Sequence, residues 1–317
     1  MWPHAAYAAS IPQDLLGDWS LDISTKEPAW LRVEENNGKP VVHMRVHVLR
    51  PGPHKIIEMK DERLTFPIEI KRKGKDGPRI MKYLVNVGLK NGKLDGLISN
   101  DSLQKPYDRI TFTGKKFPPM PDRPDLSKVR FGHPISLFNG KDLTGWCLYN
   151  LEKNNGWRAE NGVLVNDTPK TDFASTGAYG NLQTESLFDD FWLHIEFRID
   201  AHCNSGVYLR GMYEAQVSGR DPRTEGNRGV GAIYSKIRPS VYAGKEPGEW
   251  QTYDITLVDR HFTVVLNGVK VIDNQPVNGP TGGAIHTDPT TPGPIHLQGD
   301  HTSVMYRNIY LAPVIKD

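Results

Sequence analysis

The sequence has 317 residues, with 30 glycines, 24 prolines and a net charge of +2 from 39 basic and 37 acidic residues. This length suits two domains, and the glycine and proline content favours many turns over a helical bundle. Because positive and negative charges nearly balance, the protein lacks the overall positive charge that attracts polyanions, so we expect no nucleic-acid partner.

The cysteines indicate whether metal or redox chemistry is expected. The first ten residues indicate whether a signal peptide is present. Cys147 and Cys203 lie outside any CxxC motif or histidine-rich cluster, which argues against structural zinc and a redox dithiol. The sequence contains no run of 18 apolar residues, so it predicts no membrane-spanning helix. The first ten residues lack the basic and long apolar segments of a complete signal peptide. Few cysteines and many hairpin turns favour a periplasmic or secreted carbohydrate protein, and the cytoplasm stays open.

Short runs of alternating apolar and polar residues fill the first part of the chain. Residues 83–89 place Tyr, Val, Val and Leu on one face, which is the period of a β-strand. Asn91 and Gly92 then predict a tight hairpin turn. Residues 16–23 and 108–114 are expected to pair and close the sheet. We therefore predict a small antiparallel β-barrel over residues 12–116, whose Gly-x-Trp opening is similar to that of lipocalin-like barrels.

A change of composition separates this part from the rest. Residues 117–134 contain five prolines, which prevent regular strand ladders and favour an extended, semi-stiff connector. We predict that residues 117–134 link two domains.

The second part, residues 135–317, is also rich in strand patterns. Residues 191–199 alternate strictly, and residues 253–258 and 261–266 follow as a closely spaced pair. Strands at this spacing without helical periodicity predict two packed antiparallel sheets, that is, an all-β sandwich.

Polar residues alternate with apolar ones across residues 204–217. This alternation predicts that Tyr208, Arg210, Glu214 and Gln216 converge on one open sheet face, while their apolar neighbours face the core. Side chains held by rigid strands suit the recognition of sugar hydroxyl groups. The alternative is a solvated sheet face with an Arg–Glu cross-strand pair.

Residues 293–301 repeat the pattern near the C-terminus. His296 and Gln298 are predicted to face the same open surface, and His301 follows at the end of the strand. The glycines at positions 229 and 231 lack the strand-then-helix context of a phosphate-binding loop, so we expect no nucleotide cofactor.

Several catalytic signatures are absent from the sequence. It contains no HExxH, Gly-x-Ser-x-Gly or Walker motif. It also lacks the paired acids, E-x-D-x-x-E, of retaining jelly-roll glycosidases, which counts against ordinary two-carboxylate hydrolysis.

Six segments of the second part resemble the 3-keto-disaccharide hydrolase domain family. They occur in the expected order and span about residues 135–314. The resemblance implies a concanavalin A-like β-sandwich, or jelly roll. The matching segments are residues 135–146, 204–211, 213–217, 231–234, 248–250 and 306–309.

The resemblance also implies a chemistry. Members of the family act on sugars oxidised to a ketone at C3, which acidifies the C2 proton. A base can then remove this proton and expel the C1 aglycone, giving a 2-hydroxy-3-keto-glucal to which water can add. Such chemistry needs a base and an electrophile for the enolate oxygen, and the family resembles users of a divalent metal.

On this basis we assign candidate roles. Glu214 and His301 are each expected to serve as base or metal ligand, and Arg210 to stabilise the oxyanion. Where the family often reads Leu-Gln-x-His-Gly, residues 297–302 read Leu-Gln-Gly-Asp-His-Thr, which displaces His301 by one position. Trp157 or Trp250 is expected to stack on the sugar ring. The side chains expected to bind sugar hydroxyls are Asn204, Tyr208, Gln216, Tyr234 and Gln298.

The expected partner is a small carbohydrate. Two alternatives remain: a non-catalytic carbohydrate-binding protein, for which the same fold and face would serve, and a conventional glycoside hydrolase. Turnover of a keto sugar separates the proposed enzyme from the first. Cleavage of an unoxidised nitrophenyl glucoside would indicate the second.

Overall fold

The structure is a computed structural model that describes residues 11–24, 28–46, 52–54, 58–74, 77–100, 109–169, 178–220 and 224–316. The chain forms two compact units, Met1–Pro118 and Pro119–Asp317. Both are built from β-strands, with short 3₁₀ turns at Gln13–Leu15 and Gly226–Arg228, so the predicted all-β class is confirmed. Among the described residues, no helix has the length and apolar content that crossing a membrane requires.

The first unit is one antiparallel sheet of eight strands, which curls into a half-barrel. Its order is β3-β2-β1-β8-β7-β6-β5-β4. The predicted pairing of the first and last segments is present, with Trp19 opposite Lys116 and Ile23 opposite Phe112. The strands are β1 (Gly17–Ile23), β2 (Ala29–Asn36), β3 (Lys39–Val46), β4 (Glu58–Lys60), β5 (Arg63–Gly74), β6 (Gly77–Lys90), β7 (Lys93–Asn100) and β8 (Arg109–Lys116).

The inner face of this sheet carries the core of the first unit. Alternate residues such as Leu21, Met44, Phe66 and Val85 are fully or almost fully buried and pack together. The period-two pattern in the sequence therefore corresponds to one apolar face and one polar face.

The second unit is a sandwich of two antiparallel sheets. One sheet has the order β10-β13-β20-β15-β16. The other has the order β11-β12-β21-β14-β17-β18-β19, with β9 paired to β21. The strands are β9 (Ile135–Ser136), β10 (Trp146–Leu148), β11 (Trp157–Glu160), β12 (Val163–Asn166), β13 (Leu182–Thr184), β14 (Phe191–Arg198), β15 (Asn204–Leu209), β16 (Tyr213–Ser218), β17 (Trp250–Val258), β18 (His261–Leu266), β19 (Val269–Pro276), β20 (His296–Leu297) and β21 (Val304–Pro313).

The two sheets pack through one face of β15 and β16. Tyr213 makes an edge contact with Phe262 of the opposite sheet, with ring centroids 5.2 Å apart. Ser205 Oγ lies 2.8 Å from the hydroxyl of Tyr306, and the Tyr253 hydroxyl donates to the carbonyl of Gln216 at 2.5 Å. Because side chains alternate along a strand, the other face of β15 and β16 points away from this core.

The proline-rich segment runs along the second unit from Pro119 onward. The Asn274 side chain donates to the carbonyl of Pro124 at 2.8 Å. The amide of Gly132 donates to the carbonyl of Pro313, and the amide of Ile315 to that of Arg130, both at 2.8 Å. These hydrogen bonds hold the extended backbone without requiring the prolines to donate.

Candidate active site

The register of the five-stranded sheet lines up five side chains, one from each strand. Cys147 is opposite Gln183, Gln183 is opposite His296, His296 is opposite Tyr208, and Tyr208 is opposite Glu214. Residues opposite each other project from the same face. We call these five residues the polar row, and they lie on the face that points away from the sandwich core.

A chain of amide groups runs beside the polar row. Gln216 Nε2 donates to Asn204 Oδ1 at 2.7 Å, and Asn204 Nδ2 donates to Gln298 Oε1 at 3.2 Å. The structure thus brings together Asn204, Gln216 and Gln298 with Tyr208 and Glu214, as the alternation in the sequence predicts.

The expectation that this face is open is wrong. The exposed fractions of Tyr208 and Glu214 are only 2% and 3%. Residues 281–291, which we call the strap, pass over part of the face. The Tyr208 hydroxyl donates to the carbonyl of Gly282 at 3.0 Å, and the amide of Glu214 donates to Thr281 Oγ1 at 2.9 Å. Because the strap is distant in sequence, the strand pattern did not indicate this cover.

Tyr234 lies where the strap meets β16. Its backbone amide donates to the carbonyl of Glu214 at 2.9 Å, and its ring borders Gly282. Tyr234 is therefore held beside Glu214, next to the polar row.

The carboxylate of Glu214 leans over Gly206 on the adjacent strand. A Cβ added at Gly206 would lie 2.5 Å from Oε1 of Glu214, well inside contact distance. The missing side chain at position 206 therefore provides the space that the carboxylate occupies.

His296 is a neutral imidazole at the centre of the polar row. It is fully buried, and neither ring nitrogen has a hydrogen-bond partner within the described part of the chain. The rings of Tyr149 and Tyr208 meet it edge-on, with centroids 5.6 and 5.2 Å away. Burial lowers the pKa of His296 to about 4, against a smaller opposing effect of Asp300. The sequence placed His296 on this face, and its alternation with Gln298 is the signal that marks it as a site residue.

We expect this burial to make stability depend on pH. The folded pKa of His296 is about 4 and its ordinary value is about 6.5, so the unfolded chain binds more protons between these values. Wild type therefore loses stability through His296 as the pH falls from 6.5 to 4, and levels off below that. His296→Asn lacks this loss, which is on the order of 3 kcal/mol.

Urea unfolding of both proteins at pH 7 and pH 4 measures this effect. As the pH falls, the free energy of unfolding of His296→Asn is expected to decrease less than that of wild type. A difference between the two proteins that stays the same at both pH values would show that His296 titrates normally.

Two amide oxygens on the same face are buried without partners. Gln183 Oε1 and Gln216 Oε1 have no hydrogen-bond partner within the described ranges. Buried polar atoms are nearly always satisfied, so unpartnered ones call for a ligand or water. Together with His296, these atoms suit a ligand with several hydroxyl or carbonyl groups.

His301 follows β20 and is oriented by its neighbour. Its Nδ1 lies 2.5 Å from Asp300 Oδ1. The Asn181 side chain accepts from the amides of Gly299 and Asp300 at 2.8 and 3.1 Å, which fixes the loop. A carboxylate beside an imidazole is an arrangement that orients a base, so His301 keeps this candidate role.

Arg210 lies just beyond the end of β15, next to Tyr208 in the sequence. Strand β15 ends at Leu209, and Arg210 adopts the left-handed backbone with φ 56°. Its Nη2 donates to the carbonyls of Pro289 and Thr291 at 2.8 and 2.6 Å, and its Nη1 lies 3.2 Å from Asp189 Oδ1. The guanidinium therefore holds the strap that covers part of the face of the polar row.

Replacing Arg210 by Met tests this placement. We expect a loss of about 1–3 kcal/mol in stability, because the carbonyls of Pro289 and Thr291 lose a charged donor. Substrate binding should weaken more than the maximal rate falls, since the strap covers the site.

The measurements are urea unfolding and steady-state kinetics with a 3-keto-glucoside. Unchanged stability combined with a large loss of kcat alone would return Arg210 to the role of oxyanion stabiliser.

The two tryptophans expected to stack on a sugar have other partners. Trp157 is 3% exposed, donates through its indole nitrogen to the carbonyl of Gly180 at 2.9 Å, and stacks on Tyr306. The guanidinium of Arg307 lies 4.0 Å from the ring centroid of Trp250, on β17 of the other sheet. Neither ring lies on the polar row, so this expectation is wrong for both.

The ligand set for a metal is incomplete in the described ranges. They contain no group of three or more His, Cys, Asp or Glu side chains placed to hold a metal ion. Within these ranges Glu214 and His301 gain no third ligand of these types, and the divalent metal that the resemblance implies stays a prediction.

The second unit is a jelly-roll sandwich with polar side chains along one face of its five-stranded sheet. The family model for the 3-keto-alpha-glucoside-1,2-lyase-like domain matches residues 133–312. The chain belongs to this family, and residues 1–132 lie outside the match.

Comparison with solved structures finds proteins from Parabacteroides distasonis that are provisionally named glycosyl hydrolases. One is 22% identical, and the match covers 57% of this chain and 94% of that one, with a TM-score of 0.48. Another is 29% identical, and the match covers 62% and 93%, with a TM-score of 0.45. None of the curated proteins compared with the chain matches it.

Proposed function

We propose that this protein cleaves the glycosidic bond of 3-keto-glycosides by elimination. The observation that carries the proposal is the carboxylate of Glu214, directed over Gly206 into a buried face. Unpartnered amide and imidazole atoms line that face. The polar row holds one carboxylate, Glu214, and the other carboxylate that acts on His296, Asp300, lies beside His301.

The proposed reaction has two steps. Glu214 removes the proton at C2, and the electrons of the C–H bond form a C2=C3 enolate with negative charge on the C3 oxygen. The enolate then collapses: the C3 carbonyl reforms, a C1=C2 double bond forms, and the C1–oxygen bond breaks. The aglycone leaves with that electron pair and takes up a proton from the Glu214 carboxyl. The products are a 2-hydroxy-3-keto-glucal and an alcohol.

Burial of the site supports this chemistry. A carboxylate freed from bulk water is a better base for a weakly acidic C–H, and fixed dipoles act more strongly in a water-poor site. The chain of amides joins Asn204 on β15, Gln216 on β16 and Gln298, which directly follows β20. It presents Gln216 Oε1 for a sugar hydroxyl.

The Asp300–His301 pair supports a second proton-transfer role. An imidazole oriented by a carboxylate can activate the water that adds to the glucal. We assign C2 proton abstraction and the return of that proton to the aglycone to Glu214, and activation of the water that adds to the glucal to His301.

The test is incubation with a methyl 3-keto-glucoside and, separately, with an unoxidised nitrophenyl glucoside, followed by NMR identification of the products. We expect methanol and the 2-hydroxy-3-keto-glucal, or its hydrated form, from the first and no reaction from the second. Cleavage of the nitrophenyl glucoside alone would indicate a conventional glycosidase. Binding of the keto sugar without turnover would indicate a carbohydrate-binding protein.

A chelator is included as a further arm of this assay. Loss of turnover with chelator and its return with a divalent cation would identify a metal requirement met by ligands beyond the described groups.

A further inference from the structure

The elimination needs a group that stabilises the charge on the C3 oxygen, and the residue expected to do so has another role. The Arg210 guanidinium is bound to the strap and to Asp189. We infer that His296 is a further catalytic residue, whose ring N–H donates to the C3 carbonyl oxygen and holds the developing enolate charge. This inference rests on the proposed function.

The first support is the spacing of His296 and Glu214 across the sheet. They stand on β20 and β16 with β15 between them. The Glu214 carboxylate leans over Gly206 on β15, and Gly206 lies diagonally from His296 because Tyr208 is the residue opposite it. Diagonal neighbours on adjacent strands are roughly 7 Å apart.

This gap matches the reacting part of a 3-keto sugar. Two contacts of about 3 Å each, one from the carboxylate to C2 and one from the imidazole to the oxygen on C3, extend with the sugar atoms between them over roughly 8 Å, which is close to the spacing of diagonal positions. The atoms between the contacts are neighbours in the sugar. Glu214 and His296 are therefore placed to act on adjacent carbon centres of one ring.

The second support is that His296 has unmet hydrogen-bonding capacity. His296 is fully buried and neither of its ring nitrogens has a hydrogen-bond partner within the described ranges. Burying such groups costs free energy, and a ligand that supplies an acceptor and a donor recovers that cost. A neutral imidazole has one N–H donor and one lone pair. The ketone oxygen accepts from the first, and a neighbouring sugar hydroxyl donates to the second.

The third support is the neighbour of His296 on β13. Gln183 is directly opposite His296, and its Oε1 is buried without a partner. A sugar hydroxyl beside the ketone can donate to this oxygen. Gln183 and His296 thus offer donors and acceptors to the same side of the ring, which suits a hydroxyketone.

The protonation state of His296 fits this role. Burial keeps the imidazole neutral above pH 4 to 5, and a neutral imidazole in a buried site can polarise a carbonyl effectively. No proton has to leave His296 in the reaction. The proton removed from C2 goes to Glu214, and the charge on the C3 oxygen disappears when the carbonyl reforms.

The test uses 1,5-anhydro-3-keto-glucitol, which has an acidic C2 proton but no aglycone at C1. In D2O, NMR follows replacement of the C2 proton by deuterium, which reports enolate formation separately from bond cleavage. We expect wild type to catalyse the exchange. His296→Phe is expected to lower the exchange rate by about 100-fold or more, as for loss of one oxyanion donor, with a change in KM below about tenfold.

Two variants act as controls. His296→Asn keeps an N–H donor and should retain more exchange than His296→Phe. His133→Phe changes an exposed histidine of the second unit and should exchange like wild type. Thermal unfolding of each variant checks that it is folded.

The outcomes separate this inference from the proposed function. If wild type exchanges the C2 proton and His296→Phe does so at an equal rate, the role of His296 is overturned and the elimination stands. If a folded His296→Phe shows a raised KM with unchanged kcat, His296 binds substrate without stabilising the enolate, which also overturns the inference. If wild type neither exchanges the proton nor cleaves the 3-keto-glucoside, the proposed function falls and this inference falls with it.

Discussion

Glu214→Gln is expected to lower the rate of elimination from a 3-keto-glucoside by about 1,000-fold. The amide has almost the shape of the carboxylate but cannot accept the C2 proton, and general-base catalysis contributes about 100- to 10,000-fold. The loss should appear in kcat and in the exchange of the C2 proton, because both require the base. The measurement is NMR detection of product, with thermal unfolding to show that the variant is folded.

Glu160→Gln is the matched control for this change. Glu160 lies on β11, its side chain is 52% exposed, and it pairs with Arg158. The same chemical change there should leave the rate as in wild type. If Glu214→Gln turned over within tenfold of wild type, Glu214 would not be the base, and His301 with its partner Asp300 would be the next candidate.

Gly206→Ala is expected to lower kcat by about 100-fold. The added methyl group would lie 2.5 Å from Glu214 Oε1 and 2.8 Å from its Cγ, so the carboxylate must leave its place over β15. A small displacement of a catalytic group costs about this much. Overpacking should also lower stability by roughly 1–3 kcal/mol. Steady-state kinetics and urea unfolding measure the two effects.

Gly132→Ala provides the comparison. A Cβ at Gly132 would meet its nearest neighbour, Cγ of Pro313, at 3.4 Å, which is ordinary contact. This variant should keep both rate and stability. A Gly206→Ala protein as active as wild type would mean that the position of the Glu214 carboxylate over Gly206 does not matter to the reaction.

The sequence predicts the strands and their faces well because both depend on local alternation. The pairing of Tyr208 with Glu214 and the inward side chains of β14 follow the period of two along each segment. The same period places His296 and Gln298 beside them, although these residues are far away in the chain.

The alternation does not predict the residue at which a strand ends or the segment that covers its face. Arg210 fits the period, yet β15 stops one residue earlier and the backbone turns to the left-handed region. The cover over Tyr208 comes from the strap, more than 70 residues away in sequence. Trp157 similarly lies under Gly299 because the loop after β20 folds onto it. Such long-range placements depend on packing between segments.

The measurement that tests the central claim most directly uses a methyl 3-keto-glucoside labelled with deuterium at C2. The account predicts that the product has lost the label from C2 and that the labelled substrate reacts more slowly, because breaking the C2–H bond is part of the reaction. A product formed by this protein at an unchanged rate, with the deuterium still at C2, would contradict proton abstraction by Glu214 and the elimination that depends on it.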